Sequence, residues 1–119
     1  MKPTILIVED NEDIRKFLQE ALVEDYDIVI AGEGYAGLAE VMVGRQDIDL
    51  IITDLQMPGL NGVELIENLP RDIPVIVISA FLDHPKFRDS LRHLHPAAVI
   101  EKPFRISELR QAIQQVFGQ

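Results

Sequence analysis

The stretch Thr4-Ile5-Leu6-Ile7-Val8-Glu9-Asp10-Asn11-Glu12-Asp13 joins a short apolar run to a turn of acids around one asparagine. The run is rich in β-branched residues and apolar at every position. A strand of that kind needs cover on both faces, as in the middle of a parallel sheet. Beyond the turn, Ile14, Phe17, Leu18, Ala21 and Leu22 recur at i, i+3, i+4, i+7 and i+8, which is one face of a helix. Asn11 suits the N-cap of that helix, and Glu12 and Asp13 suit its first turn, where the helix dipole favours negative charge.

The same unit repeats along the chain. Ile28-Val29-Ile30-Ala31, Leu50-Ile51-Ile52-Thr53, Val75-Ile76-Val77-Ile78 and Ala98-Val99-Ile100 have the character of the first strand. Helical patterns lie between and after them. Tyr35 to Val43 ends near Gly44. Val63, Ile66 and Leu69 form a stripe that stops near Pro70, and Phe87, Leu91 and Leu94 form one that Pro96 closes. Leu109, Ile113, Val116 and Phe117 mark the last helix. Five βα units in succession imply an α/β, doubly wound domain: a five-stranded parallel sheet, helices on both faces, right-handed crossovers. Five strands favour the flavodoxin-like order 2-1-3-4-5. In that order ligands bind beyond the carboxyl ends of the strands, where the sequence reverses between strands 1 and 3.

Composition narrows the function. The 119 residues make one domain, 47% apolar and 26% charged, with a net charge of -9. So acidic a surface repels phosphate backbones, which argues against direct nucleic-acid binding and for a divalent cation or a basic partner. No apolar run approaches the roughly 20 residues of a membrane span, and no signal peptide is read at the N-terminus. Cysteine is absent, which removes disulfides, thiolate metal sites and cysteine nucleophiles. A cytoplasmic location is expected.

The strand ends carry the chemistry. Glu9 and Asp10 follow strand 1, Asp54 follows strand 3, Ser79 follows strand 4 and Lys102 follows strand 5. Taken singly, each has a bland reading as a helix cap, a rim acid, a turn hydroxyl or a surface lysine. Together they place three carboxylates, one hydroxyl and one ammonium on one rim. Carboxylates that close share a proton or bind a cation, and hard oxygen ligands with open positions suit Mg²⁺. A cation would relieve the repulsion between a carboxylate and a phosphoryl group, and Lys102 and Ser79 would engage further phosphoryl oxygens. Asp54 is then a candidate nucleophile for an aspartyl phosphate.

With these residues in order, the whole chain resembles the receiver domain of bacterial two-component response regulators. The resemblance rests on Glu9-Asp10, on Asp54 followed by Leu55-Gln56-Met57-Pro58-Gly59-Leu60-Asn61-Gly62, on Ser79-Ala80 and on Lys102-Pro103-Phe104. It carries the 2-1-3-4-5 order as the family's own. It implies that Asp54 is the phosphoacceptor and that Asp10, Asp54 and the backbone carbonyl of Gln56 ligate Mg²⁺ directly. Glu9 would hold the metal mostly through water, and Lys102 would pair with the acceptor. Ser79 would be the switch hydroxyl and Ala80 a small residue that keeps the pocket open. Gly62 would supply permissive backbone before helix 3, and the Lys102–Pro103 bond would be cis. It also implies a histidine kinase or histidine phosphotransfer protein as donor, a downstream effector protein or domain as target, and the helix 4–strand 5–helix 5 face as a surface for dimerisation. Residues 1–119 are expected to form one receiver unit, with no effector segment among them. The domain would catalyse its own phosphorylation and slow dephosphorylation without being a turnover enzyme.

Three positions depart from the pattern. Val99 stands where the family often has an aromatic switch, Leu94-His95-Pro96 where it often has Ala-Gly-Ala, and bulky Phe81 lies close after Ser79. The switch is therefore expected to run through the loop from Ala80 to Pro85 and not through strand 5. Three rival readings fit less well. A Mg²⁺-dependent aspartyl phosphohydrolase often has a second acid two residues after its nucleophile, and here that residue is Gln56. A receiver used only as a binding module would be favoured by a missing acid or lysine, and none is missing. A flavodoxin-like cofactor binder would need amides and hydroxyls where this chain has acids. His84, His93 and His95 read as surface residues, and Tyr26 and Tyr35 as partly buried ones.

Overall fold

The computed structural model describes residues 2–44, 47–80 and 84–118. The elements run β1 (Thr4–Val8), α1 (Glu12–Leu22), β2 (Asp27–Ala31), α2 (Gly34–Val43), β3 (Leu50–Thr53), α3 (Gly62–Glu67), β4 (Val75–Ser79), α4 (Pro85–Leu94), β5 (Ala98–Glu101) and α5 (Ile106–Phe117). The strands form one parallel sheet in the order β2-β1-β3-β4-β5. The expected class, order and alternation are all present.

Side-chain alternation divides the core into two layers. Leu6 and Val8 of β1, Ile51 of β3, and Val75 and Val77 of β4 point toward α2, α3 and α4. Ile5 and Ile7, Leu50 and Ile52, and Ile76 and Ile78 point toward α1 and α5. Ile5, Leu6, Ile7, Leu50, Ile51 and Ile76 are almost wholly buried. Each such side chain contributes about 1.5–3 kcal/mol by leaving water. That is why the three central strands are apolar at successive positions.

The two edge strands differ from that reading. Ile30 of β2 is 40% exposed and Val99 of β5 is 44% exposed. An edge strand has one neighbour, and the helices do not reach over its whole outer face. Phe17 also leaves the expected buried stripe of α1. Leu18 and Leu22 pack into the core, whereas Phe17 is 50% exposed. Tyr26 is buried against Phe117, with ring centroids 5.9 Å apart, while Tyr35 is exposed. His84, His93 and His95 are exposed, as expected.

Local chemistry sets the helix ends. The Asn11 side chain accepts from the Ile14 N–H at 3.0 Å and caps α1. Asn61 and Glu64 form a reciprocal capping box that starts α3, at 2.8 and 3.0 Å. His95, before β5, sits at φ 50°, the left-handed region usually left to glycine. It does so at the centre of the Leu94-His95-Pro96 departure from the family's usual turn. No described helix is long and apolar enough to cross a membrane.

Candidate functional site

The carboxyl ends of β1, β3, β4 and β5 meet on one rim. The parallel ladder continues past the strands: the Glu9 N–H donates to the Ala31 carbonyl at 3.1 Å and the Asp54 N–H to the Val8 carbonyl at 3.3 Å. The Lys102 N–H donates to the Ser79 carbonyl at 3.0 Å. These bonds fix the backbone of every strand-end residue singled out in the sequence except Asp10, which lies one step further out.

Their side chains converge. One carboxylate oxygen from each of Glu9, Asp10 and Asp54 lies within 4.8 Å of the others. Among the described residues no other group of three such side chains comes together in this way. Glu9 and Asp54 are buried, at 3% and 7% exposure, and Asp10 is exposed. Ser79 is fully buried at the end of β4. The Lys102 ammonium donates to Asp54 Oδ2 at 2.7 Å and to Glu9 Oε2 at 3.2 Å, bridging the two buried acids. The other Asp54 oxygen, Oδ1, accepts from the Leu55 N–H at 2.7 Å and the Gln56 N–H at 3.3 Å. Both oxygens of the central carboxylate are thus oriented. The Lys102–Pro103 peptide bond is cis.

Gly62 differs from its expected role. It is not among the glycines with positive φ, so no unusual backbone conformation demands it. What demands it is space: a Cβ there would lie 2.3 Å from the Asp54 carbonyl oxygen and 2.9 Å from the Leu55 Cα. Its N–H donates to the Leu55 carbonyl at 2.8 Å. The start of α3 is therefore pressed directly against the backbone of the central aspartate. Phe81, with the next two residues of the expected switch loop, lies outside the described residues.

Burial pushes the Glu9 carboxyl above its ordinary value of 4.5, against the pull of the Lys102 ammonium and the Asn11 N–H, with the Asp54 charge adding to the rise. For Lys102, burial works toward a lower value, but the hydrogen bond and charge of Asp54, followed by those of Glu9, outweigh it. The ammonium is held above its ordinary 10.5. The signs give a pH prediction. Lys102 contributes stability that is complete below its ordinary value and lost as pH rises through its raised one. Glu9 acts oppositely: ionised, it costs stability, and the cost disappears as pH falls below its ordinary value. Without Mg²⁺, Glu9→Gln should therefore be the more stable protein at pH 7. The advantage should fade to nothing below Glu9's ordinary titration. Urea melts of both proteins across that range check it, and an advantage independent of pH would contradict it.

Two cavities lie at opposite ends of the sheet. One of about 400 Å³, beside Lys102, is lined by Ile14, Phe17, Ala80, Pro103 and Phe104, and it accounts for the exposure of Phe17. A larger one of about 780 Å³ lies at the opposite end of the sheet, among Ile73, Val75, Leu94 and Pro96, far from the carboxylates. One residue at the rim had no role in the sequence reading. Arg15 of α1 donates from Nη1 to the Glu9 carbonyl at 2.9 Å. A signal was available, because helical side chains lean toward the N-terminus and a long one in the first turn reaches back over the cap.

A family model described as the response regulator receiver domain matches residues 5–114. Sporulation initiation phosphotransferase F of Bacillus subtilis is 30% identical, over 97% of this chain and 94% of that protein. Sensor histidine kinase TmoS of Ectopseudomonas mendocina is 36% identical over 98% of this chain, which spans only 12% of the kinase. Other curated relatives are matched over about half their length. Among solved structures, the N-terminal domain of a Wolinella succinogenes protein superposes with a TM-score of 0.89 at 29% identity, covering 98% of this chain and 94% of that one.

Proposed function

The chain belongs to the response regulator receiver domains of two-component signalling, and from that membership and the geometry of the rim we propose that it is a phosphoacceptor switch centred on Asp54. A carboxylate oxygen of Asp54 attacks the phosphorus of a phosphohistidine on a kinase or phosphotransfer protein. The P–N bond breaks, and the donor imidazole leaves with the bonding pair and takes up a proton. Later attack of water on the acyl phosphate returns Asp54 and releases inorganic phosphate. Each chain carries one group and is itself the substrate, so it acts as a switch and not as a turnover enzyme.

The observation that carries this reading is the handling of one buried carboxylate. Asp54 is oriented by two backbone amides and an ammonium, and two further acids stand within 4.8 Å. Lys102 offsets the negative charge of the incoming group, and Ser79 offers a hydroxyl from the end of β4. The donor set of hard carboxylate oxygens fits Mg²⁺. Asp10, Asp54 and the Gln56 carbonyl would hold it, with Glu9 behind them through water. When bound, the ion supplies the positive charge that lets a carboxylate approach a phosphoryl group. The apolar cavity around Phe17 and Phe104 beside Lys102 gives the donor protein a seat next to the acceptor. The state of Asp54 would be read by a downstream effector, as a partner or as part of a longer chain, in the cytoplasm.

Incubation with a small phosphoryl donor tests the reading. Intact mass should show one added phosphoryl group with Mg²⁺ and almost none when the metal is chelated. Labelling indifferent to Mg²⁺ would overturn it. The metal site gives a further prediction. Asp10→Asn removes one of three neighbouring negative charges at the rim and should raise metal-free stability. Mg²⁺ should then raise the melting temperature of the wild type but hardly that of the variant. Equal shifts in both proteins would contradict the placement of Asp10 in the metal site.

A further inference from the structure

We propose that Arg15 is a positioning residue that sets the Glu9–Asp10 turn for metal binding, an inference that rests on the Mg²⁺ site proposed above. Arg15 is half-buried on the first turn of α1, and its Nη1 donates to the Glu9 backbone carbonyl at 2.9 Å. The guanidinium lies across the end of β2. A Cβ on Gly32 would come within 3.3 Å of Nη1 and 3.8 Å of Cζ. The Glu9 N–H is bonded to the Ala31 carbonyl, one residue before Gly32. The Glu9 peptide is thus gripped on both sides: its N–H by the end of β2, its carbonyl by an arginine lying over that same end.

The grip belongs to a closed circuit. The Glu9 side chain accepts from the Asn11 N–H at 3.1 Å, and the Asn11 side chain accepts from the Ile14 N–H at 3.0 Å. Arg15, the next residue, returns to the Glu9 carbonyl. Asp10 sits inside this circuit, and its direction is set by the peptides on either side of it. What Arg15 does not do is equally informative. Among the described residues it makes no ion pair, although the rim beside it is acidic. A cation spent on a carbonyl, with carboxylates nearby, is placed for geometry more than for charge.

Geometry and charge predict opposite signs. A cation near an anionic site repels Mg²⁺, so if charge were its whole effect, removing Arg15 would tighten metal binding. If Arg15 holds the turn, removing it loosens Glu9 and Asp10 and weakens binding, by about tenfold, as for other groups that orient ligands from behind. The test is Mg²⁺ titration of the wild type, Arg15→Met, Arg15→Lys, Gly32→Val and Asp10→Asn, followed by calorimetry and by amide NMR. The Asn11 amide reports the turn itself. Arg15→Met should bind Mg²⁺ about tenfold more weakly, with the Asn11 amide exchanging faster in the metal-free protein. Arg15→Lys keeps the charge but offers a single ammonium in place of a planar fork, and should remain weak. Gly32→Val keeps both the arginine and its charge while displacing the guanidinium, and should weaken binding as well.

Arg15→Met binding Mg²⁺ as tightly as the wild type, or more tightly, overturns the proposal. So does unchanged affinity in Gly32→Val, which decides the matter if Arg15→Met does not fold. The two readings fail distinguishably. A wild type that ignores Mg²⁺ overturns the metal site and the role of Arg15 with it. A wild type that binds, beside an Asp10→Asn that does not and an Arg15→Met that does, overturns the role of Arg15 alone.

Discussion

Asp54→Asn should take up no phosphoryl group under conditions that label the wild type fully, a loss of at least about 100-fold in rate, or about 2.7 kcal/mol in barrier. The amide oxygen is a far poorer nucleophile than a carboxylate oxygen, and its charge is gone. The fold should survive. The substituted side chain keeps an oxygen for the Leu55 and Gln56 N–H groups that Asp54 Oδ1 now serves. The change falls on the other side, where Oδ2 now accepts from Lys102 at 2.7 Å. An amide NH₂ cannot accept there, so Lys102 would lean on Glu9 alone, at 3.2 Å. A modest fall in melting temperature with complete loss of labelling is the expected pattern, read by intact mass and thermal melts on the same samples. Labelling of the variant at the wild-type level would remove Asp54 from the chemistry.

The second large effect is on stability. Gly62→Ala should cost about 3 kcal/mol, or roughly 10 °C in melting temperature. The new methyl would lie 2.3 Å from the Asp54 carbonyl oxygen and 2.9 Å from the Leu55 Cα. Neither neighbour is a side chain that can rotate away, so α3 or the end of β3 has to move. Gly44→Ala provides the contrast. Nothing lies within 4 Å of a Cβ there, but φ is 67°, so the cost is conformational and about 1 kcal/mol. The Gly62 variant should also label more slowly even well below its melting temperature, because the displaced backbone is that of Asp54. Equal losses in the two variants would show that contact between α3 and Asp54 is not what makes glycine necessary at position 62.

Much of this was legible in the sequence, for physical reasons that also explain what was not. The central strands were plain because burial on both faces demands apolar residues at every position, and Leu6, Ile51 and Ile76 meet that demand. The edges were less so. Ile30 and Val99 look the same in sequence, yet both are more than a third exposed, because exposure depends on which strand lies outermost. Asn11 announced its cap through a side chain that bonds within one turn. Phe17 matched the period of α1 but sits at the margin of its apolar stripe, where it lines a cavity beside Lys102. The gathering of Glu9, Asp10 and Asp54 followed from strand order, since residues that follow neighbouring parallel strands must lie side by side. The need for Gly62 was legible, but its cause was not: close approach between segments is a tertiary fact, whereas positive φ is a local one. Arg15 was not legible, since an arginine on a helix next to acids has the pattern of surface charge, and only the fold shows its guanidinium on a backbone carbonyl.

The central claim is that one carboxylate on the rim, that of Asp54, receives the phosphoryl group. The most direct measurement is phosphotransfer from a purified phosphohistidine donor in Mg²⁺, followed at once by borohydride reduction and peptide mass mapping. Reduction turns an aspartyl phosphate into homoserine and leaves phosphoserine and free carboxylates unchanged. The result expected is homoserine at position 54 alone, with Glu9, Asp10 and Ser79 unmodified. Homoserine at position 10, a stable phosphate on Ser79, or transfer with no reducible acyl phosphate at position 54 would contradict it.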